Sequence, residues 1–135
     1  MNVMAVIIGG LVGANLRYMS GEWLTSTSLG MGVSPFPLGT MILNLVGCLV
    51  LGWFLTASSL RMRLPGAVRV GISTGLIGSF TTFSTFSVET LELAQAGEWV
   101  LAALYVIISV LGGVLLAVAG WYLARMPVRT KEGRA

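Results

Sequence analysis

From Ser79 to Ser87 the chain reads SFTTFSTFS, nine consecutive residues that are all phenylalanine, serine or threonine. Phe80, Phe83 and Phe86 recur at every third position and so fall roughly along one stripe of a helix, with Thr81, Thr82, Ser84, Thr85 and Ser87 between them. Each group presents a weak positive pole, the edge of an aromatic ring or the proton of an alcohol. Together they suit a small anion. Neither carries a full charge, and conduction needs ligands strong enough to replace water but weak enough to release the ion. A single hydroxyl in a membrane helix has a plainer use, bonding back to the carbonyl one turn earlier. Six hydroxyls within nine residues exceed what that use explains.

Just upstream, Gly75 and Gly78 stand a turn apart and, with Ser79, mark a place where the helix can bend or unwind. Irregular backbone at membrane depth is tolerated only when it is buried in protein or lines a wet cavity. The carbonyls it frees then seek a donor or a cation, and a sodium ion would satisfy them. Asn44 lies near the middle of another apolar run, a costly place for an amide without a partner or a function. Thr40, Asn44 and Gly47 share one helical face, a polar strip suited to facing the third helix. Asn44 reads equally as interhelical glue or as a pore ligand. Tyr105 and Ser109 share a face in the same way and add two more hydroxyls. Other chemistries lack raw material: histidine is absent, and Cys48, alone among Leu, Val and Gly, reads as a buried structural thiol.

The elements that must hold these residues are apolar helices. Of 135 residues 56% are hydrophobic and only 10% charged, and the mean hydropathy is +0.90, too oily for a soluble domain with a charged shell. Four stretches, roughly 3–20, 38–60, 66–95 and 99–125, approach or exceed the ~20 residues that cross a bilayer. The expected fold is an all-α membrane protein of four transmembrane helices, the third broken near its middle, forming one unit over 1–126. Residues 127–135 are expected to be a short, basic, disordered tail. The first stretch has no basic residue before it and is interrupted by Gly9, Gly13 and Arg17, so it reads as a retained helix rather than a cleaved signal. A membrane barrel is excluded by the lack of polar/apolar alternation.

With four crossings, Arg61, Arg63, Arg69, Arg125, Arg129, Lys131 and Arg134 fall on one side and only Arg17 on the other, which places both termini in the cytoplasm. These charges read as a topology signal; no nucleic acid is expected as a partner, since no aromatic residues are interleaved with those of the tail. Pro35 and Pro37 precede the second helix, and Pro65 with Gly66 the third. Small residues at four-residue spacing, Gly9 and Gly13, then Ser109, Gly113 and Ala117, predict close helix packing within one subunit in preference to a subunit interface. A bundle this thin, carrying so many intramembrane polar groups, is expected to need a second copy to shelter them.

The strings GGLVGANLRY, GTMILNLVG and above all GLIGSFTTFSTFSVE resemble the small bacterial fluoride channels called Fluc or CrcB, over nearly the whole chain. The resemblance implies a passive, fluoride-selective channel in the bacterial inner membrane that exports the ion from the cytoplasm, and not an enzyme. It implies an antiparallel, dual-topology dimer with two fluoride pores and one central structural sodium ion. Phe83 and Phe86 match the family's aromatic box, and Asn44 its pore asparagine. Gly78 and Thr81 match the positions whose backbone carbonyls hold the sodium, while Ser84, Thr85, Tyr105 and Ser109 fall along or beside the polar track. Glu89 falls near a pore vestibule. Gly113 stands where some relatives have a serine. The bias of basic residues to one side implies either that the bias is overridden on insertion or that the subunit pairs with an oppositely oriented homologue.

Two rival readings follow from the residues. A proton-coupled exporter would need a membrane-embedded carboxylate, whereas Glu22, Glu89, Glu92, Glu98 and Glu132 are assigned to helix ends or the tail. A structural membrane subunit would use the polar strip only as glue. Arg17 is read as either an interfacial snorkelling cation or an anion funnel.

Overall fold

The computed structural model describes residues 2–30 and 36–126. Pro35 and the tail from residue 127, with Arg129, Lys131 and Arg134, lie outside the described residues. Among those described, every regular element is helical. In lipid there is no water for exposed backbone groups, and a helix satisfies its own.

Helix α1 runs Asn2–Gly30, past Ser20, where its apolar stretch was expected to end. Helix α2, Leu38–Leu60, starts at Pro37, and its first residues need no donor of their own, which suits an entry by proline. The third stretch is composite. It begins with α3, Gly66–Val70, entered from Pro65, widens into a π-helical segment, Gly71–Ile77, and tightens into α4, Gly78–Phe80. After Thr81 and Thr82 it resumes as α5, Phe83–Gln95. Gly97, at φ 82°, makes the turn into α6, Trp99–Arg125, a left-handed backbone that glycine adopts without a Cβ penalty. Among the described residues three helices are long and apolar enough to cross a membrane, over Val3–Leu24, Leu38–Leu60 and Trp99–Arg125.

The interruption sits one turn later than the glycines suggest. Gly78 keeps ordinary helical angles, φ −64°, ψ −32°, whereas Thr81 is extended at φ −82°, ψ 157° and Thr82 at φ −145°, ψ 125°. Gly75, with Gly71 before it, serves contact instead. A Cβ on Gly75 would stand 2.7 Å from the Val6 carbonyl, and one on Gly71 2.9 Å from that of Ala5. From the other side, a Cβ on Gly13 would meet the Leu76 carbonyl at 2.1 Å and one on Gly9 the Gly71 carbonyl at 2.2 Å. So α1 lies directly on the π-helical backbone, and Gly9 and Gly13 pack within the subunit, as expected.

The most extensive pairing is α2 with α6. It is built the same way: a Cβ on Gly52 would stand 2.3 Å from the Ala117 carbonyl, and one on Gly120 2.2 Å from that of Leu49. Lipid supplies no hydrophobic drive between helices, so this contact rests on backbone approach and dispersion. Gly113 is buried with its open side against the Cys48 sulfur, and Cys48 itself is half-buried.

Gly120→Val is expected to force the α2–α6 crossing apart and destabilise the bundle by about 1–3 kcal/mol. Gly21→Ala, which meets no atom within 4 Å, is expected to be tolerated. Thermal unfolding of the two purified variants in detergent checks the contrast.

Candidate functional site

The site is organised by the break. At the end of α4 the Thr81 N–H still reaches the Ile77 carbonyl at 3.1 Å. The next turn does not close, because the Thr82 N–H donates to Asn44 Oδ1 at 2.8 Å instead of to Gly78. Asn44 Nδ2 in turn donates to the Thr82 carbonyl at 2.9 Å. One amide side chain thus acts as a surrogate peptide for a residue with no helical partners. Asn44 is where the polar strip on α2 was expected, facing the third stretch, and these two bonds tie it to Thr82 while leaving its second amide N–H outside them.

Gly47, one turn along α2, makes room. A Cβ there would collide with the Thr81 methyl at 2.1 Å and stand 3.8 Å from the Phe80 ring. Phe80 therefore belongs to α4 and the α2 contact. The expected three-residue phenylalanine stripe is cut by the break, leaving Phe83 and Phe86 as a pair on α5.

Thr82 also caps α5: its hydroxyl accepts the Thr85 N–H at 3.2 Å, which is the chemistry threonine brings to a helix start. That same oxygen lies 3.2 Å from Ser84 Oγ and 3.0 Å from Thr85 Oγ1. Thr82, Ser84 and Thr85 thus form a knot of hydroxyls on the first turn of α5. Two hydroxyls of the string take the plainer role, Thr81 bonding the Ile77 carbonyl at 3.1 Å and Ser87 that of Phe83 at 2.9 Å.

The phenylalanines stand beside this knot. The ring of Phe83 is 79% exposed on the subunit surface, with its centroid 5.8 Å from that of Phe86. Phe86 packs 5.0 Å from Tyr105, which is fully buried and meets Phe36 edge-on at 5.6 Å. The Tyr105 hydroxyl donates to Glu89 Oε2 at 2.7 Å, and Thr40 donates to Glu89 Oε1 at 2.7 Å. Glu89 is therefore inside α5, not at a helix end as assigned from sequence, and both its oxygens are held. It ties α5 to α2 and α6, and so fixes the face that carries Phe86. On α6, one turn beyond Tyr105, the Ser109 Oγ is buried without a hydrogen-bond partner.

Arg17 enters the picture from α1. With Tyr18, Glu22, Thr40, Thr82 and Thr85 it lines an open cleft of about 840 Å³, which puts the one described cation of this end beside the hydroxyl knot. Tyr18 donates to Glu22 Oε1 at 2.9 Å, one turn apart on the same helix. The sequence placed Arg17 only at a helix end, and it read Thr82 as one hydroxyl of the string without marking it as a cap, although a threonine three residues before Thr85 at a helix start is a capping signal. Among the described residues no group of three His, Cys, Asp or Glu could hold a metal ion. A cation here would have to rest on carbonyls. Gly78 and Thr81 fit that demand in part: the Thr82 N–H is diverted from the Gly78 carbonyl, which keeps only a long 3.5 Å approach from the Thr81 hydroxyl, and the Thr85 N–H is taken by Thr82 Oγ1 instead of reaching back to Thr81.

Residues 4–121 match the family profile described as "CrcB-like protein, Camphor Resistance (CrcB)". The chain is 49% identical over 123 residues to a "Fluoride-specific ion channel FluC" from Oceanobacillus iheyensis, covering 91% of both chains. It is 43% identical over 124 residues to a protein of the same name from Chloroflexus aurantiacus, covering 92% of this chain and 95% of that one. A "Fluoride-specific ion channel FluC 1" from Bacillus cereus is 47% identical over 116 residues, 86% of this chain and 82% of its own. These names denote a channel and not an enzyme. With its apolar helices and a match that spans the broken stretch and all three strings singled out above, the chain is a multi-pass membrane protein and belongs to the CrcB-like family.

Proposed function

We propose that this chain is one subunit of a passive, fluoride-selective channel that lets fluoride leave the cytoplasm through the bacterial inner membrane. The observation that carries the reading is the pairing of Phe83 and Phe86 beside the Thr82, Ser84 and Thr85 hydroxyls, in a chain 49% identical to a protein named for fluoride conduction. Ring edges and hydroxyl protons present partial positive charge at a position where a fully charged ligand would hold the ion too tightly. Ser109 extends the path, since a buried hydroxyl without a partner costs free energy unless something transient satisfies it. Tyr105, already bonded to Glu89, carries Phe86, while Asn44 holds the break open and offers its second amide N–H to the path.

The broken third stretch is read as the fourth crossing. Its exposed face, with Phe83, Ser84, Thr85 and Gly78, is too polar to lie in hydrocarbon. A second subunit running the opposite way would cover it, either another copy or an oppositely oriented homologue. On the axis of such a pair, the Gly78 and Thr81 carbonyls of both subunits would hold a structural sodium ion, whose chemistry is to neutralise converging carbonyl dipoles. The residues of this chain do the rest: they divert two helical donors from those oxygens.

Fluoride flux from liposomes containing only the purified chain tests activity and self-sufficiency together. Phe83→Ile is expected to leave assembly intact and cut flux on the order of tenfold, since the aliphatic side chain keeps bulk but loses the ring edge, an effect of about 0.5–1.5 kcal/mol per pair. A variant that conducts as well as the parent removes the aromatic pair from the path. Asn44→Leu strips both bonds from the Thr82 main chain, about 1–3 kcal/mol for each group left unpaired; thermal stability and flux are expected to fall together. Replacing sodium by a large organic cation is expected to weaken the dimer, read by its dissociation on dilution in detergent, and a dimer indifferent to the exchange counts against the ion.

A further inference from the structure

One end of the bundle is formed by the C-terminal turn of α2, the link at 61–65, the start of α3 and the last turn of α6. It carries four arginines, Arg61, Arg63, Arg69 and Arg125. The described acids lie elsewhere: Glu22, Glu92 and Glu98 at the far end, and Glu89 bonded inside the bundle. Among the described residues no carboxylate compensates these guanidinium groups, yet they are not loose. Arg61 donates to the Met126 carbonyl, which brings it beside Arg125. Arg125 lies over the Trp121 ring, 3.7 Å from its centroid, and Arg69 donates to Ser59 Oγ at 2.9 Å.

Each of these three partners is neutral. A guanidinium has five N–H donors in a planar fork, so most remain available for an oxyanion. Orienting insertion needs only positive charge in short loops. It does not require Arg69 and Arg125 to sit within helices, nor a guanidinium to be laid flat on an indole. Around the arginines the surface is apolar, with Leu60, Val68, Tyr122 and Met126 all exposed. Charge above a greasy skirt matches a molecule with a phosphate at one end and hydrocarbon at the other. Inorganic phosphate or a nucleic acid would leave the skirt unmatched.

We propose that this arginine-bearing end is a binding surface for anionic phospholipid, with Arg61, Arg63, Arg69 and Arg125 holding the headgroup phosphate and the exposed apolar residues below them receiving the upper acyl chains. Trp121 places Arg125 at headgroup depth, where amphipathic rings prefer to lie. The surface is remote from the phenylalanine pair, so it stands whether or not the chain conducts fluoride.

The test uses the full-length chain in phosphatidylcholine vesicles containing phosphatidylglycerol, with spin-labelled forms of each lipid reporting their relative association with the protein. Phosphatidylglycerol is expected to be preferred, and the preference to weaken with salt. Arg61→Gln with Arg125→Gln is expected to reduce it by about fivefold for each charge removed. Arg63→Gln, which breaks no bond among the described residues, is expected to lower it by a similar factor and guards against loss of fold in the double variant. Equal association of the two lipids overturns the proposal, as does a preference unchanged in Arg63→Gln and the double variant. Displacement of the labelled lipid by millimolar inorganic phosphate overturns it too, since the surface would then read phosphate alone.

Discussion

The arrangement depends on a single side chain standing in for a peptide. A helix that stops in mid-membrane leaves donors and acceptors that lipid cannot satisfy. Here the amide of Asn44 takes both the N–H and the C=O of Thr82. With that pair made, Thr82 is free to adopt the extended angles of a helix cap, its hydroxyl can begin α5, and Ser84 and Thr85 gather on it. The same bond takes the Thr82 N–H from Gly78, so the discontinuity and the weakly held carbonyl have one cause. An uninterrupted helix would bury this polarity in its own ladder and present nothing to an ion.

Around that point the bundle holds by closeness more than by bulk. Glycines at α1 and in the π-helical stretch, and again where α2 crosses α6, let main chains touch where side chains would separate them. Among the described residues few are fully buried, and Tyr105 is the one large side chain with no exposure. Its hydroxyl and that of Thr40 grip Glu89 from two helices. A carboxylate accepting two short hydrogen bonds is well placed to fix α5, because bonds to a charged acceptor are stronger than those between neutral groups. The aromatic pair inherits its orientation from this clamp.

Much of this was legible in the residues. The apolar runs marked α2 and α6 closely, since proline and charge end them sharply. The face shared by Thr40, Asn44 and Gly47 pointed to the third stretch, and all three touch it or its continuation. The place of the break was misread because glycine has two uses, freedom of angle and room for a neighbour, and spacing alone does not separate them. Gly75 and Gly78 remain helical while two threonines, β-branched and able to bond their own backbone, take the extended angles. Glu89 was misplaced for a related reason: a charge in an apolar run looks like an end until its partners, some fifty residues away in sequence for Thr40, are brought to it. The exposure of Phe83 is likewise a matter of how the helices pack, which spacing alone does not report.

The π-helical passage from Gly71 to Ile77 has a bearing on how such chains vary. A coil whose bonds span five residues rather than four encloses one extra residue in each loop. It behaves as slack in the polypeptide, an insertion absorbed without a bulge, since α1 seats its glycines directly on the widened turns. A residue removed from this passage would return one widened turn to an ordinary one and leave the flanking segments at nearly the same depth and facing, so a single-residue change of length is taken up here and not passed along the rod.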